Sequence, residues 1–271
     1  MKKDILHEYA EDEPVRINRF LSDAGYCSRR QADNLVAAGR VTVDGIPALT
    51  GQKVARGQSV CVDGRQISRK ESLILIALNK PQGIVCTSDR VREKNNIIDF
   101  LGLSERVYPI GRLDKNSRGL ILLTNDGTIV NHILRARQYH EKEYVVTVRE
   151  KITPSFLKGM AGGVALEEAV TRPCRVTGID EHTFRIILTQ GLNRQIRRMC
   201  AVFGYHVTDL LRVRIMGIRL GDLPEGQWRA VTRQEIDSLK RDFRGEGEHK
   251  RRTKADMPGR PGKGGRRGGQ D

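Results

Sequence analysis

Residues 111–120 read Gly-Arg-Leu-Asp-Lys-Asn-Ser-Arg-Gly-Leu, and the whole chain can be organised around this stretch. A short apolar segment, 107–110, leads into it, and another, 120–123, follows it. The pattern predicts a strand, a charged turn and a second strand. The turn contains the carboxylate of Asp114, and three bases flank it: Arg112, Lys115 and Arg118.

The Asp114 carboxylate has two interpretations. Neighbouring cations favour its ionised form, so it can act as a nucleophile or as the anionic half of a buried ion pair. The alternative is an ordinary turn aspartate beside solvated bases, because turns favour Asp for conformational reasons. The turn by itself does not choose between these interpretations.

The motif has a family resemblance. Gly-Arg-Leu-Asp followed by Ser-x-Gly-Leu is similar to the catalytic motif of RNA pseudouridine synthases. The upstream segment 79–83, Asn-Lys-Pro-Gln-Gly, resembles the branch that contains the RsuA, RluB, RluE and RluF enzymes. This resemblance implies that Asp114 is the nucleophile. It also implies that the segment with Lys80 lies beside the active site and supports its shape, and we include Lys80 among the candidates for RNA binding. The alternative is an exposed turn lysine.

Composition indicates a polyanionic partner. The chain has 271 residues, enough for one large or two smaller domains, and its formal net charge is +15. Nucleic acid is the first candidate partner and an acidic membrane surface the second. Because no apolar run approaches the ~20 residues of a membrane span and no signal peptide is visible, we expect a cytoplasmic protein.

The cysteines predict neither a disulfide framework nor a zinc site. They are scattered, without a Cys-x-x-Cys pair, and are odd in number: Cys27, Cys61, Cys86, Cys174 and Cys200. This usage is typical of reduced thiols in a cytoplasmic protein.

Residues 14–67 predict a small module of two helices and a few strands, after a flexible segment at 1–13. Ser28 and Gln31 form a capping-box pattern at the second helix, and two Asp-Gly pairs indicate hairpin turns. Five arginines fall on the outer faces: Arg16, Arg19, Arg29, Arg30 and Arg40. They form either a phosphate-binding surface or a solvated basic face. The order of segments resembles the S4-like αL RNA-binding module, which implies that these arginines bind RNA.

After a polar linker at 68–72, residues 73–243 predict a second domain. Its apolar run at 73–78 is typical of a central strand buried on both faces. Lys142 and Tyr144 begin a later strand, and Lys-x-Tyr resembles the second signature of the synthases. The resemblance implies that Tyr144 stacks on the target uracil and helps to remove its proton, and that Lys142 contacts RNA. The alternative is a strand tyrosine packed in the core.

A third signature follows Gly191 and reads Gln-Ile-Arg-Arg-Met at 195–199. We expect a helix here, with Asn193 as its cap. In the resembling family the first arginine of the pair forms an ion pair with the catalytic aspartate, which selects Arg197. Arg194 and Arg198 are further candidates for RNA contact, or part of a solvated basic face.

Arg112 is the candidate for holding the distorted RNA. Enzymes that modify a base must take it out of the stack. A planar guanidinium can stack on bases and bind phosphate, and related synthases use this position in that way. The alternative is a salt bridge from Arg112 to Asp114.

Together the three signatures imply an α+β protein. We expect an S4-like RNA-binding domain and a pseudouridine synthase domain with a mostly antiparallel central sheet, followed by a disordered basic tail at 244–271. The implied activity is that of an isomerase converting uridine to pseudouridine in RNA. The reaction conserves all atoms, so we expect no cofactor, and no metal-ligand cluster is visible. The residues of the third signature imply large-subunit ribosomal RNA as the substrate, with a tRNA as the candidate second substrate. We expect the protein to be a monomer.

Two other functions stay open. A non-catalytic RNA-binding ribosome-assembly factor would share the charge and the fold, although it would not need Asp114, Tyr144 and Arg197 together. A paralogue with another ribosomal RNA site would share every motif. A glycosidase is disfavoured because it usually needs a pair of carboxylates.

Overall fold

The computed structural model describes residues 14–68, 74–89, 92–134, 140–239 and 241. The predicted flexible N-terminus, most of the linker and the basic tail lie outside these residues. The described chain combines helices with mostly antiparallel sheets, which confirms the predicted α+β class.

The first domain packs two helices against short strands. The helices are α1 (Ile17–Asp23) and α2 (Arg29–Ala37); the strands are β1 (Val15–Arg16), β2 (Val41–Val43), β3 (Ile46–Pro47), β4 (Lys53–Val54), β5 (Val60–Val62) and β6 (Arg65–Gln66). Strand β1 pairs with β4, and the other four form a sheet in the order β3-β2-β5-β6. The apolar faces of both helices and the central strands share one core.

Local sequence accounts for the boundaries of these elements. Ser28 and Gln31 form the predicted capping box at the start of α2. Asp44 and Asp63 adopt positive φ, each followed by a glycine with positive φ. This backbone matches the tight hairpin turn predicted from the Asp-Gly pairs.

The second domain is built on one large sheet. Its strands are β7 (Leu75–Lys80), β8 (Tyr108–Pro109), β9 (Arg118–Thr124), β10 (Lys142–Val148), β11 (Arg175–Gly178), β12 (Thr183–Leu188), β13 (Val207–Ile215), β14 (Ile218–Arg219) and β15 (Trp228–Ala230). Its helices are α3 (Ile97–Leu101), α4 (Gly127–Leu134), α5 (Pro154–Ala161) and α6 (Gln195–Val202), with a further helical segment at 233–239.

The order of strands in the sheet is β11-β12-β10-β13-β9-β7-β15, with β8 on β9 and β14 on β13. Among the described strands of this sheet the pairs are antiparallel except β9 with β13, which is parallel. This parallel pair joins the half of the sheet that follows the Asp114 turn to the half that contains Tyr144.

Both faces of the central strands are covered, as the apolar run at 73–78 predicts. Leu75 and Ala77 of β7 face the core beneath α4 and the 233–239 segment. Ile76 and Leu78 face the opposite core beneath α3. A third core lies under α5 and α6, on the strands at the other end of the sheet. Strand β9, which follows the Asp114 turn, is packed between the same two cores, so this turn is attached to a strand that is buried on both faces.

The two domains touch beside the start of α4. A Cβ placed on Gly127 would lie 3.1 Å from Nη2 of Arg29 and 3.3 Å from Oη of Tyr108. A Cβ on Gly25 would lie 3.9 Å from that of Arg106. The turn after α1 thus lies near Arg106, just before β8, and the start of α2 lies near the start of α4. Strand β8 belongs to the segment that leads into the Asp114 turn.

Candidate active site and RNA-binding surface

A cavity of about 440 Å³ opens where the Asp114 turn meets β10, β13 and the start of α6. Small-molecule sites typically enclose roughly 300–1,000 Å³. Its lining brings together six of the residues predicted from sequence: Arg112, Asp114, Lys142, Tyr144, Arg194 and Arg197. Segments that are distant in the sequence thus converge on a single concave site.

The Asp114 turn is held by its backbone. The amide of Ser117 donates to the Asp114 carbonyl at 3.0 Å, and the amide of Gly83 donates to the Lys115 carbonyl at 2.8 Å. Leu113 is buried, which fixes the chain next to the carboxylate. Among the described residues the Asp114 carboxylate itself has no hydrogen bond or ion pair, and it is only partly buried. It is therefore accessible to a substrate.

Three cations surround Asp114 without bonding to it directly. Burial lowers the pKa of Lys80 and of Arg197, and the charge of Asp114 raises both by a smaller amount. Arg212 also lines the cavity, and its charge lowers the pKa of Lys80. Of the three basic residues that flank Asp114 in the turn, Lys115 pairs with Glu93 and Arg118 pairs with Asp209, so the cations whose pKa responds to Asp114 come from other segments.

Tyr144 lies on the wall of the cavity. In the sheet it is opposite Ile186 of β12 on one side and Arg212 of β13 on the other. The register of β10 against β13 shifts between Glu143 and Tyr144. Such a bulge re-aims side chains and is frequent beside active sites. The ring is partly exposed, as a base-stacking tyrosine must be.

Arg197 is close to Asp114 but does not form the predicted ion pair in this structure. Its Nη1 donates to the Val207 carbonyl at 3.1 Å, and its Nη2 donates to the Asn116 carbonyl at 2.8 Å and to Ser117 Oγ at 3.3 Å. Burial, and next the charge of Arg194, lowers the pKa of Arg197. The guanidinium therefore clamps the loop that follows Asp114.

The start of α6 differs from the prediction. Its cap is Arg194 in a left-handed conformation, φ 47°, and not Asn193; no side chain caps the helix. A non-glycine residue with this backbone carries strain, and such strain clusters at functional sites. The strained residue, Arg194, lies in the wall of the cavity.

Comparison with known proteins agrees with this geometry. The RNA pseudouridylate synthase family matches residues 74–202, and the S4 domain family matches residues 15–60. The dual-specificity RNA pseudouridine synthase RluF of Escherichia coli K12 is 50% identical over 230 residues, which cover 84% of this chain and 79% of that protein.

More distant relatives show the same class. Ribosomal large subunit pseudouridine synthase B of Bacillus subtilis is 31% identical over 83% of this chain and 95% of its own length. A crystal structure of a pseudouridylate synthase superposes with a TM-score of 0.61 at 27% identity, covering 83% of this chain and 99% of that one.

The chain belongs to the RNA pseudouridylate synthase family. The predicted class of enzyme, an isomerase that makes pseudouridine in RNA, is thereby confirmed, as are the predicted S4 and synthase folds. Among the described residues, no helix is long and apolar enough to cross a membrane, and no cluster of three or more His, Cys, Asp or Glu side chains is arranged to hold a metal ion.

The synthase has a second basic surface on its first domain. A shallow cradle is lined there by Arg16, Arg19, Arg29 and Lys53, together with Pro14, Val15 and Asn18. Arg16 and Lys53 stand directly opposite each other on β1 and β4. Like charges at such a position are destabilising unless an anion lies between them. We name these four basic residues the N-terminal cradle.

Sequence reasoning found only part of this cradle. Arg40 was predicted to bind RNA, but its Nε donates to Asp63 Oδ1 at 2.9 Å in a bidentate pair on another part of the domain. Arg30 is exposed and lies outside the cradle. Lys53 was not predicted. The available signal was a single lysine in the alternating segment, directly before Val54.

Two further predictions need correction. Lys80 is 0% exposed, and its Nζ donates to the Pro81 carbonyl at 2.7 Å, so it supports the turn from inside and does not present a surface to RNA. Arg198 does not line the cavity; its Nη1 donates to Glu168 Oε1 at 2.6 Å in a bidentate pair. Arg212, which does line the cavity, was not predicted, although an arginine within the apolar strand 207–215 was a signal.

Proposed function

We propose that this synthase isomerises a specific uridine to pseudouridine in 23S ribosomal RNA and uses a tRNA as a second substrate. The observation that carries the proposal is the accessible Asp114 carboxylate, without a protein partner among the described residues, in a cavity shared with Tyr144 and Arg197. The large-subunit target is supported by the names of the relatives, one of them a large-subunit synthase and another a dual-specificity synthase.

The reaction assigns a role to each of these residues. Asp114 acts as the nucleophile and Tyr144 stacks on the uracil. As the Asp114 carboxylate bonds to C1′, the C1′–N1 bond breaks with its electron pair on the uracil. The base rotates, and C5 bonds to C1′ as the carboxylate leaves, the C5 proton is released and N1 gains a proton. Arg197 orients Asp114 through the loop at Asn116 and Ser117.

RNA is held by basic residues around this centre. Arg112 is exposed at the cavity, where it can occupy the gap left by the flipped base. Lys142 and Arg194 face the same cavity and suit the sugar-phosphate backbone of the target nucleotide. The N-terminal cradle adds sequence-independent affinity through phosphate contacts. The enzyme acts as a monomer in the cytoplasm and needs no cofactor.

The test is release of tritium from C5-labelled uridine in a large-subunit ribosomal RNA transcript. We expect release by the wild type and by the surface control Asp222→Asn. Asp114→Asn should release none while it keeps its affinity for RNA, because the substitution removes the nucleophile and preserves the shape. Mapping of the modified uridine then identifies the target.

A second set of results would contradict the proposal. RNA binding by the wild type without any tritium release, in transcripts and in pre-ribosomal particles alike, would favour an assembly factor. Loss of folding together with binding in Asp114→Asn would indicate a structural aspartate.

A further inference from the structure

Arg212 is a buried cation in the wall of the active-site cavity. It is 3% exposed and lies in the middle of β13. In the sheet it stands between Gly119 of β9 and Tyr144 of β10. It thus lies between the strand that follows the Asp114 turn and the strand that carries the base-stacking tyrosine, and it lines the same cavity as both catalytic residues.

The hydrogen bonds of Arg212 leave part of its guanidinium unsatisfied. Its Nε donates to the Leu120 carbonyl at 2.6 Å, which fixes the plane of the group. Its Nη2 is fully buried and has no acceptor among the described residues. A buried charged donor without a partner is costly, and a catalytic role is one of the recognised reasons for a native protein to keep one. The protein therefore holds a preorganised donor ready for an incoming acceptor.

The position of Arg212 limits which acceptor this can be. The Cζ atom lies 6.0 Å from the centre of the Tyr144 ring. A group that stacks on this ring comes within reach of the guanidinium. The phosphates stay with the RNA backbone outside the cavity, where exposed basic side chains such as Arg112 can bind them. A donor buried inside the cavity is suited to the one part of the nucleotide that enters it, which is the base.

The chemistry supplies the reason for a cation at this place. When the C1′–N1 bond breaks, the electron pair stays on the uracil, and the negative charge spreads over N1 and the O2 and O4 carbonyl oxygens. A fixed donor in a water-poor cavity stabilises charge as it develops, without reorganisation. It can also hold the detached base while C5 turns toward C1′.

We propose that Arg212 is a further catalytic residue, whose guanidinium donates to a carbonyl oxygen of the target uracil and stabilises the negative charge that the base carries while detached. This inference rests on the proposed isomerase activity. No atom is transferred to or from Arg212, because the guanidinium keeps its protons throughout and contributes only a hydrogen bond and its charge.

The experiment combines enzyme variants with substrates altered at one atom. RNA with 2-thiouridine or 4-thiouridine at the target position is compared with unmodified RNA, since sulfur accepts hydrogen bonds poorly. The enzymes are the wild type, Arg212→Gln and Arg212→Lys. Arg214→Gln is the matched control: this arginine is on the same strand, pairs with Glu141 and Glu143, and does not line the cavity. Circular dichroism verifies that each variant folds.

With the wild type and Arg214→Gln, we expect one of the two thio substitutions to lower kcat roughly tenfold to hundredfold, the range of a hydrogen bond to a charged group. In Arg212→Gln that penalty should fall below about threefold, because the hydrogen bond is already absent. The sensitive position identifies the oxygen. If the Gln variant does not fold, Arg212→Met, which has no donor, is used in its place. Arg212→Lys keeps a charged donor and should retain part of the penalty.

Two results would overturn the inference. One is a thio penalty in Arg212→Gln, or in Arg212→Met where that variant replaces it, equal to that of the wild type. The other is a wild type insensitive to both thio substitutions. A wild type without turnover on unmodified RNA would instead overturn the proposed function, and this inference with it.

Discussion

Gly119 and Arg212 are in backbone contact across the parallel pair of β9 and β13. A Cβ on Gly119 would lie 2.4 Å from the Arg212 carbonyl oxygen and 2.8 Å from its backbone nitrogen, and the glycine has φ +103°. Because Gly119 has no side chain, the backbone of Arg212 can lie this close to the strand that follows the Asp114 turn. The third close neighbour is the end of the Leu211 side chain, which can move, but the two backbone atoms of Arg212 cannot.

Gly119→Ala should therefore destabilise the fold strongly. We expect a loss of about 3 kcal/mol or more in the free energy of unfolding, because overpacking against backbone adds to an unfavourable φ. Thermal or denaturant unfolding measures it. Gly162→Ala is the control: its Cβ would meet the Lys158 carbonyl at an ordinary 3.6 Å and φ is −76°, so stability should change by about 0.5 kcal/mol or less. Equal effects in the two variants would contradict the close-contact explanation.

Arg197→Lys should slow catalysis and leave RNA affinity nearly unchanged. The lysine keeps the charge but cannot span the Val207 carbonyl and the loop at Asn116 at once, so Asp114 loses its orientation. We expect kcat to fall roughly 100-fold, as small misplacements of catalytic groups do. Arg198→Lys, the neighbour paired with Glu168, should change kcat little. Single-turnover kinetics separates RNA binding from the chemical step. A change in RNA affinity without a change in the rate of the chemical step would contradict the prediction.

The N-terminal cradle should control the salt dependence of RNA binding. Arg16→Gln combined with Lys53→Gln removes two exposed cations that face each other. The slope of log K against log salt should become shallower by roughly 0.7 to 0.9 for each phosphate that the protein no longer neutralises. Arg40→Gln, which removes a cation already paired with Asp63, should leave the slope unchanged. A slope that responds equally to both changes would disprove a special role for the cradle.

Lys142 should make RNA affinity depend on pH in the neutral to alkaline range. Burial, and next the charge of Arg212, lowers the pKa of Lys142 to about 8. The side chain is a cation below that pH and becomes neutral above it, so the dissociation constant should increase as the pH rises through about 8. Lys142→Arg stays charged and should bind with a flatter pH profile. Titration of affinity between pH 7 and 9 measures both proteins, and identical profiles would exclude Lys142 as the cause.

The lowered pKa of Lys142 also predicts how the free energy of unfolding changes with pH. The unfolded chain holds this proton up to a pKa of about 10.4, and the folded chain releases it near 8. In this window the unfolded state binds more protons, so the contribution of Lys142 to the free energy of unfolding rises with pH. Lys142→Met removes this contribution, and a comparison of unfolding at pH 7.5 and 9.5 tests it.

Local chemistry made much of the protein predictable from its sequence. The capping box at Ser28, the Thr153 cap before Pro154 and the positive-φ turn at Asp44 depend on neighbours within a few residues. The strand, turn and strand around Asp114 follow from the same short range. Three spaced signatures also determine the family, since their order and wording carry the resemblance.

The tertiary structure alone decided which charged residues are available to RNA. The sequence shows that Arg40, Lys80 and Arg198 are basic, but not that Asp63 and Glu168 pair with two of them or that the third is buried. Such partners lie far along the chain. Only the packing of strands and loops brings them together.

The same holds for the centre of the active site. Its composition depends on the parallel pairing of β9 with β13, which places Arg212 between Gly119 and Tyr144. Strand order is set by the burial of apolar faces over the whole domain, and no short segment encodes it. The sequence thus determined the family and the class of reaction, and it predicted the nucleophile. The folded sheet decided that Arg197 binds the loop after Asp114 and that the buried Arg212 lines the cavity beside Tyr144.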